Sequence, residues 1–163
     1  MKSCNFPILK KRIITLSLLC YLLACSIFPA FYYGENTPTF DFGNGLFCLL
    51  FGWAGILFHQ GALKIYFLAW YANITYFFAI RSLIKSKYKR FLIWSSITVG
   101  LGVLFAFCPK VIIDESGHAQ EISMATGYYS WIASFLILFI GGMYVHLLEQ
   151  KELSPNHIGI YTL

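Results

Sequence analysis

The fold class this sequence predicts is all-α: a polytopic membrane helical bundle with four transmembrane helices and one short segment that enters without crossing. Three observations predict it. Hydrophobic residues fill 58% of the 163 positions and charged residues only 12%, about half the charged share of a soluble domain. Apolar runs of spanning length recur along the chain, and the basic residues lie beside those runs. Such a chain has too little polar surface to coat a water-facing globule, so lipid is its expected solvent. The length predicts a single transmembrane domain over 1–163.

Residues 13–33 form the first apolar run, behind Lys10, Lys11 and Arg12. About 20 residues rising 1.5 Å each cross a hydrocarbon core, so the run is long enough. Pro29 removes a backbone donor and should bend the outer turn. Phe28, Phe31, Tyr32 and Tyr33 read as an interfacial aromatic belt. A processing signal competes here, because the charged start, the short apolar stretch and Leu22-Leu23-Ala24-Cys25 have the layout of a bacterial lipoprotein signal. Against cleavage at Cys25, the apolar run continues through Ser26, Ile27 and Phe28.

A polar loop with Glu35, Pro38 and Asp41 follows, then residues 45–58, which are apolar but short and interrupted by Gly45, Gly52 and Gly55. Residues 62–83 form a full span, ending in the basic loop of Arg81, Lys85, Lys87, Lys89 and Arg90. Residues 91–108 span again. Residues 109–126 read as a second polar loop, 127–148 as the last span, and the rest as a short polar tail.

The charges decide how to read 45–58. If it does not cross, the amino terminus, the basic loop and the tail share one side. All of the 12 Lys and Arg residues except Lys64 and Lys110 then lie on that side. If it crosses, the basic residues divide evenly. Short loops rich in Lys and Arg stay cytoplasmic, so four spans with both termini cytoplasmic is the expectation. Residues 45–58 are then a re-entrant or interfacial piece on the outer face, with a short tilted fifth span as the other reading.

Polar groups inside a bilayer are costly, so they are where candidate sites are sought. Asn73 falls midway along 62–83, with Tyr66, Trp70 and Phe77 on its helical face. It reads as an interhelical hydrogen bond or, in the sharper reading, as a contact for a substrate or ion. Trp70, Lys64 and His59 complete this candidate polar site; Lys64 can snorkel to the interface, and His59 is placed there as an imidazole. Ser96-xxx-Gly100, Thr98-xxx-Gly102 and Ser130-xxx-Ser134 set small side chains at helix-packing spacing. Cys48 and Cys108 fall near the outer face, either as packed residues or as a bridge.

The sequence disfavours several classes, enzymes among them. It has no GxSxG or HExxH motif, no acidic residue inside a span, and no Cys/His cluster with zinc spacing. No catalytic, cofactor-binding or metal-ligating residue is therefore assigned, and no cofactor is expected. The net charge of +5 sits beside the apolar runs, where a membrane protein needs basic residues to set its orientation, and this argues against nucleic acid as a partner.

Three segments, Cys48-Leu49-Leu50-Phe51-Gly52-Trp53, Leu68-Ala69-Trp70-Tyr71-Ala72-Asn73 and Gly127-Tyr128-Tyr129-Ser130-Trp131-Ile132-Ala133-Ser134, resemble uncharacterised small bacterial inner-membrane proteins. In those an Asn-Pro often follows the middle Trp-x-Ala, where this chain has Asn73-Ile74. The resemblance implies four helices in a bacterial inner (plasma) membrane and no particular activity. Within the lipid bilayer, function is expected to run through helix–helix contacts with another membrane protein or a second copy, as an accessory subunit or an immunity-type protein. The alternative is a small transporter or channel component assembled around Asn73.

Overall fold

The computed structural model describes residues 6–33, 44–58, 64–108, 110–112 and 119–153. The described residues are mostly helical, with five helices. Helix α1 is Phe6–Ser26. Pro7 lies in its first turn, where a missing N–H costs nothing, and the helix stops three residues before Pro29, which cannot continue it. Residues 27–33 therefore leave the helix instead of extending it to 33. Helix α2 is the short apolar Gly45–Leu57. Asn44 caps it by accepting from the Leu46 N–H at 2.9 Å, and a 3₁₀ turn over Gly52–Ala54 interrupts it.

Helix α3 is Lys64–Ile84, tightened to 3₁₀ over Leu68–Tyr71. Ser86 then turns the chain with φ at 53°, the left-handed conformation that closes helix ends. Helix α4 is Tyr88–Phe105 and α5 is Thr126–Leu153.

Side-chain contacts fix the directions. Lys10 meets Glu149 and Ser17 meets Ser134, so α1 and α5 are antiparallel. Tyr21 meets Asn73 and Ser17 meets Tyr76, so α1 and α3 are antiparallel as well. With the tight turn at Ser86, the four long helices alternate in direction. The buried core between them runs through Tyr21, Tyr76, Leu83, Phe91, Phe135 and Leu138.

The connections at the end of the bundle away from the α3–α4 turn hold something the sequence reading missed. Strands β1 (Phe31–Tyr33), β2 (Lys110–Ile112) and β3 (Ala119–Met124) form an antiparallel sheet in the order β1-β3-β2. Phe31 pairs with Met124, and Lys110 with Glu121. Residues 31–33 and part of 109–126, expected as span end and polar loop, are thus paired strands. The sheet is tied to α5 where the Gly127 N–H donates to the Pro29 carbonyl at 2.8 Å. Gly127 is required there, because a Cβ would stand 2.5 Å from that oxygen.

Helix α2 meets the same end of the bundle at both of its own ends. Gly45 packs against Ala24 and Cys25 at the close of α1, Gly52 against Trp70, and Gly55 against Phe67. Two helices, Lys64–Ile84 and Thr126–Glu152, are long and apolar enough to cross a membrane. Helices α1 and α4 are comparably apolar except at their starts, where Lys10, Lys11 and Arg12, and Lys89 and Arg90, lie.

Candidate functional site

The interior of the bundle is polar where its exterior is not. Asn73 is 7% exposed and lies where α1, α3 and α5 converge. Its Oδ1 accepts from the Tyr21 phenol and from the Trp131 indole N–H, each at 2.9 Å. Tyr21 in turn stacks on Tyr76, with centroids 5.0 Å apart and planes 14° from parallel. The Tyr76 hydroxyl lies 2.5 Å from Ser17 Oγ, and that serine donates to the Ser134 carbonyl at 2.8 Å. Ser134 donates to the Trp131 carbonyl at 2.6 Å, back in the same layer. The result is one seam of hydrogen-bonded groups across three helices.

Helix periodicity builds that seam. Ser17 and Tyr21, Asn73 and Tyr76, and Trp131 and Ser134 are spaced three or four apart, which puts each pair on one helix face. A second link joins α3 to α4, where Thr75 and Thr98 hydroxyls lie 2.8 Å apart. Further bonds run from Tyr128 to the Gly102 carbonyl, from Ser130 to the Cys20 carbonyl, and from the Trp70 indole to the Leu49 carbonyl. The last one holds α2 to α3. Each of these side chains thus spends a hydrogen bond inside the protein, as a low-dielectric interior demands.

Of the residues expected to form the polar site, Asn73 is at its centre. Trp70 belongs to the α2 contact and does not reach Asn73 through a hydrogen bond. Lys64 is exposed at the start of α3, and His59 lies outside the described residues. Phe77, expected on the Asn73 face, is 52% exposed; Tyr76 takes the inward place.

The small residues divide. Ser134 is fully buried, Ser130 is partly buried, and Gly102 lies against Ile132 and Phe135. Ser96 and Gly100 face outward, and nothing lies within 4 Å of where a Gly100 Cβ would be. Cys48 and Cys108 are thiols and not a bridge; both belong to the cluster around Phe31. Sequence reasoning missed Tyr21, Trp131, Ser17 and Tyr76.

At the opposite end from the sheet, Lys10 Nζ pairs with Glu149 Oε1 at 2.8 Å and donates to Ser86 Oγ at 2.8 Å. It stands 5.1 Å over the Tyr88 ring, which stacks on His146 at 4.5 Å. Burial works against the charge on Lys10, but its bond to Glu149 outweighs that and raises the ammonium above the ordinary lysine value. Burial likewise opposes the Glu149 carboxylate, yet the bond from Lys10 holds it below the ordinary glutamate value. Arg81, Lys85, Lys87, Lys89 and Arg90 are all exposed at this end.

Among the described residues no three His, Cys, Asp or Glu side chains converge as metal ligands would. Comparison with protein-family models, curated proteins and solved structures finds no match for the chain.

Proposed function

We propose that this chain is a multi-pass protein of a bacterial inner membrane, with four spans and both termini cytoplasmic, that acts through helix contacts as an accessory or immunity-type subunit. The distribution of surfaces supports lipid as the solvent. Ile27 is 65% exposed, Leu57 69% and Phe107 68%, and large apolar side chains face outward along α1, α4 and α5. Water-soluble monomers rarely leave contiguous apolar surface on this scale. The antiparallel order supports four crossings. Helix α2, held at both ends against one end of the bundle, supports the non-crossing reading of 45–58.

The observation that carries the functional reading is the closure of the polar seam. Asn73, Tyr21, Trp131, Ser17 and Tyr76 satisfy one another, so recognition inside the bilayer falls to the outward helix faces. On α4 that face carries Ser96 and Gly100 between Ile93, Ile97 and Val103, a shallow strip that another helix can approach closely.

Purification in mild detergent, followed by identification of co-purifying proteins, tests this. A stoichiometric membrane partner lost on Gly100→Trp is the expected result. A chain that purifies alone and conducts ions in liposomes would overturn it.

A further inference from the structure

Two basic segments that are far apart in sequence meet at one end of the bundle. The contacts of Lys10 with Ser86, Tyr88 and Glu149 set the second turn of α1, the α3–α4 turn and the end of α5 at one depth. Lys10 spends its own charge in that junction, with its side chain 12% exposed. Its neighbours do not. Lys11 and Arg12 on α1, Lys85 and Lys87 in the turn, and Lys89 and Arg90 on α4 are all exposed. The ion pairs among the described residues are Lys10–Glu149 and Lys110–Glu121, and neither involves these six. The acids described at this end are Glu149, engaged by Lys10, and Glu152.

The surroundings of these cations select the ligand. Leu16 and Leu19 are exposed one to two turns along α1 from Arg12, and Ile84 and Ile93 flank the turn on α3 and α4. A soluble anion has no use for an apolar wall below its phosphate. A molecule with an anionic head and acyl chains uses both. Guanidinium and ammonium groups bind phosphate oxygens by charge-assisted hydrogen bonds, and they act at the headgroup layer over about a Debye length.

We propose that this rim is a binding surface for anionic phospholipid. Lys11 and Arg12 hold the headgroup phosphate together with Lys85 and Lys87, and the acyl chains lie along the apolar sides of α1 and α3. The inference rests on the membrane reading above. It is a property of the fold, since it needs α1 brought to the α3–α4 turn.

The full chain in neutral detergent, titrated with phosphatidylglycerol or phosphatidylcholine and read by native mass spectrometry, tests it. Orientation plays no part in a micelle. Phosphatidylglycerol should be retained in preference to phosphatidylcholine, and less so as salt is raised. Neutralising Lys11 and Arg12 to Gln, or Lys85 and Lys87 to Gln, should each cut that retention by roughly tenfold, with melting temperature unchanged. Lys110→Gln, at the opposite end, should leave it intact. Equal retention of the two lipids overturns the proposal, as does a loss confined to one of the two basic segments. So does displacement of the lipid by inorganic phosphate at matched ionic strength, which would mark a site for free phosphate. A chain that stays monodisperse without detergent sinks the membrane reading itself, which is a separate outcome.

Discussion

The indole nitrogen of Trp131 donates to Asn73 Oδ1 over 2.9 Å, and an indole N–H can only donate. That contact fixes which way the Asn73 amide is turned, and the Tyr21 phenol donates to the same oxygen from the other side. A single carbonyl oxygen therefore ties α1 and α5 to α3.

Replacing Asn73 by Leu removes the shared acceptor and strands two donors, the buried Tyr21 phenol and the half-buried Trp131 indole. Interhelical bonds in membranes contribute on the order of 0.6–2 kcal/mol, and an orphaned donor adds to the loss. Asn73→Leu should lower the melting temperature in detergent by an amount corresponding to about 2 kcal/mol. Asn73→Asp keeps an acceptor and should lose less if its carboxyl is protonated. An unchanged melting temperature in Asn73→Leu, together with lost cellular activity, would move Asn73 from a structural role to a functional one.

The glycines give an opposed pair. At Gly142 a Cβ would overlap the ring of Phe91, which is fully buried and cannot swing away. At Gly100 it would meet nothing within 4 Å. Gly142→Ala should therefore destabilise by about 1–3 kcal/mol through overpacking. Gly100→Ala should be neutral or stabilise by up to about 1 kcal/mol through helix propensity. Thermal melts of the two variants check the direction, and the reverse order would contradict the packing of α4 described above.

That pair also shows where sequence reading stops. Ser96-xxx-Gly100 and Ser130-xxx-Ser134 have the same spacing, yet one faces out and the other in. In lipid both faces of a helix are apolar, so periodicity carries no inward signal. The long helices were legible because apolar runs of that length have few other solutions. Asn73 was legible because an amide in such a run is costly. Its partners were not, since Tyr21 and Trp131 look like ordinary membrane aromatics until the bundle brings their polar tips to one oxygen. The sheet escaped because Phe31–Tyr33 prolongs an apolar run, and its pairing with Ile122–Met124 is long-range.

The Lys10–Glu149 pair should leave a pH signature. Glu149 is held below its ordinary value of 4.5, so its contribution is complete above that value and is lost as pH falls through the depressed one. Lys10 is held above its ordinary 10.5, so its contribution is complete below that and is lost as pH rises through the raised one. Between these limits the pair should contribute a constant amount, about 1 kcal/mol for so partly exposed an ion pair. Melting temperature against pH should fall more steeply below pH 4.5 in the native chain than in Glu149→Gln. Parallel curves would show that the contact does not hold the α1 and α5 ends together.

The α3–α4 turn offers the most direct test of topology. Lys85, Lys87, Lys89 and Arg90 are exposed at the end where Lys10 meets Glu149, so the turn, the start of α1 and the end of α5 lie at one end of the bundle, which four crossings would make the cytoplasmic one. Each such cation near an anionic leaflet contributes about 1 kcal/mol toward keeping its loop cytoplasmic, and short basic loops dominate orientation. A cytoplasm-active reporter fused after Lys89 or after Leu163 should give signal, while one after Ser116 should be silent. Neutralising all four cations should leave a fraction of molecules inverted, measurable by cysteine labelling from each side. Helix α2 enters the same test, because a fifth crossing would put Lys89 and the amino terminus on opposite sides. Signal after Ser116 with silence after Lys89 would mean that α2 crosses, and the contacts of Gly45 and Gly55 with one end of the bundle would then need another arrangement.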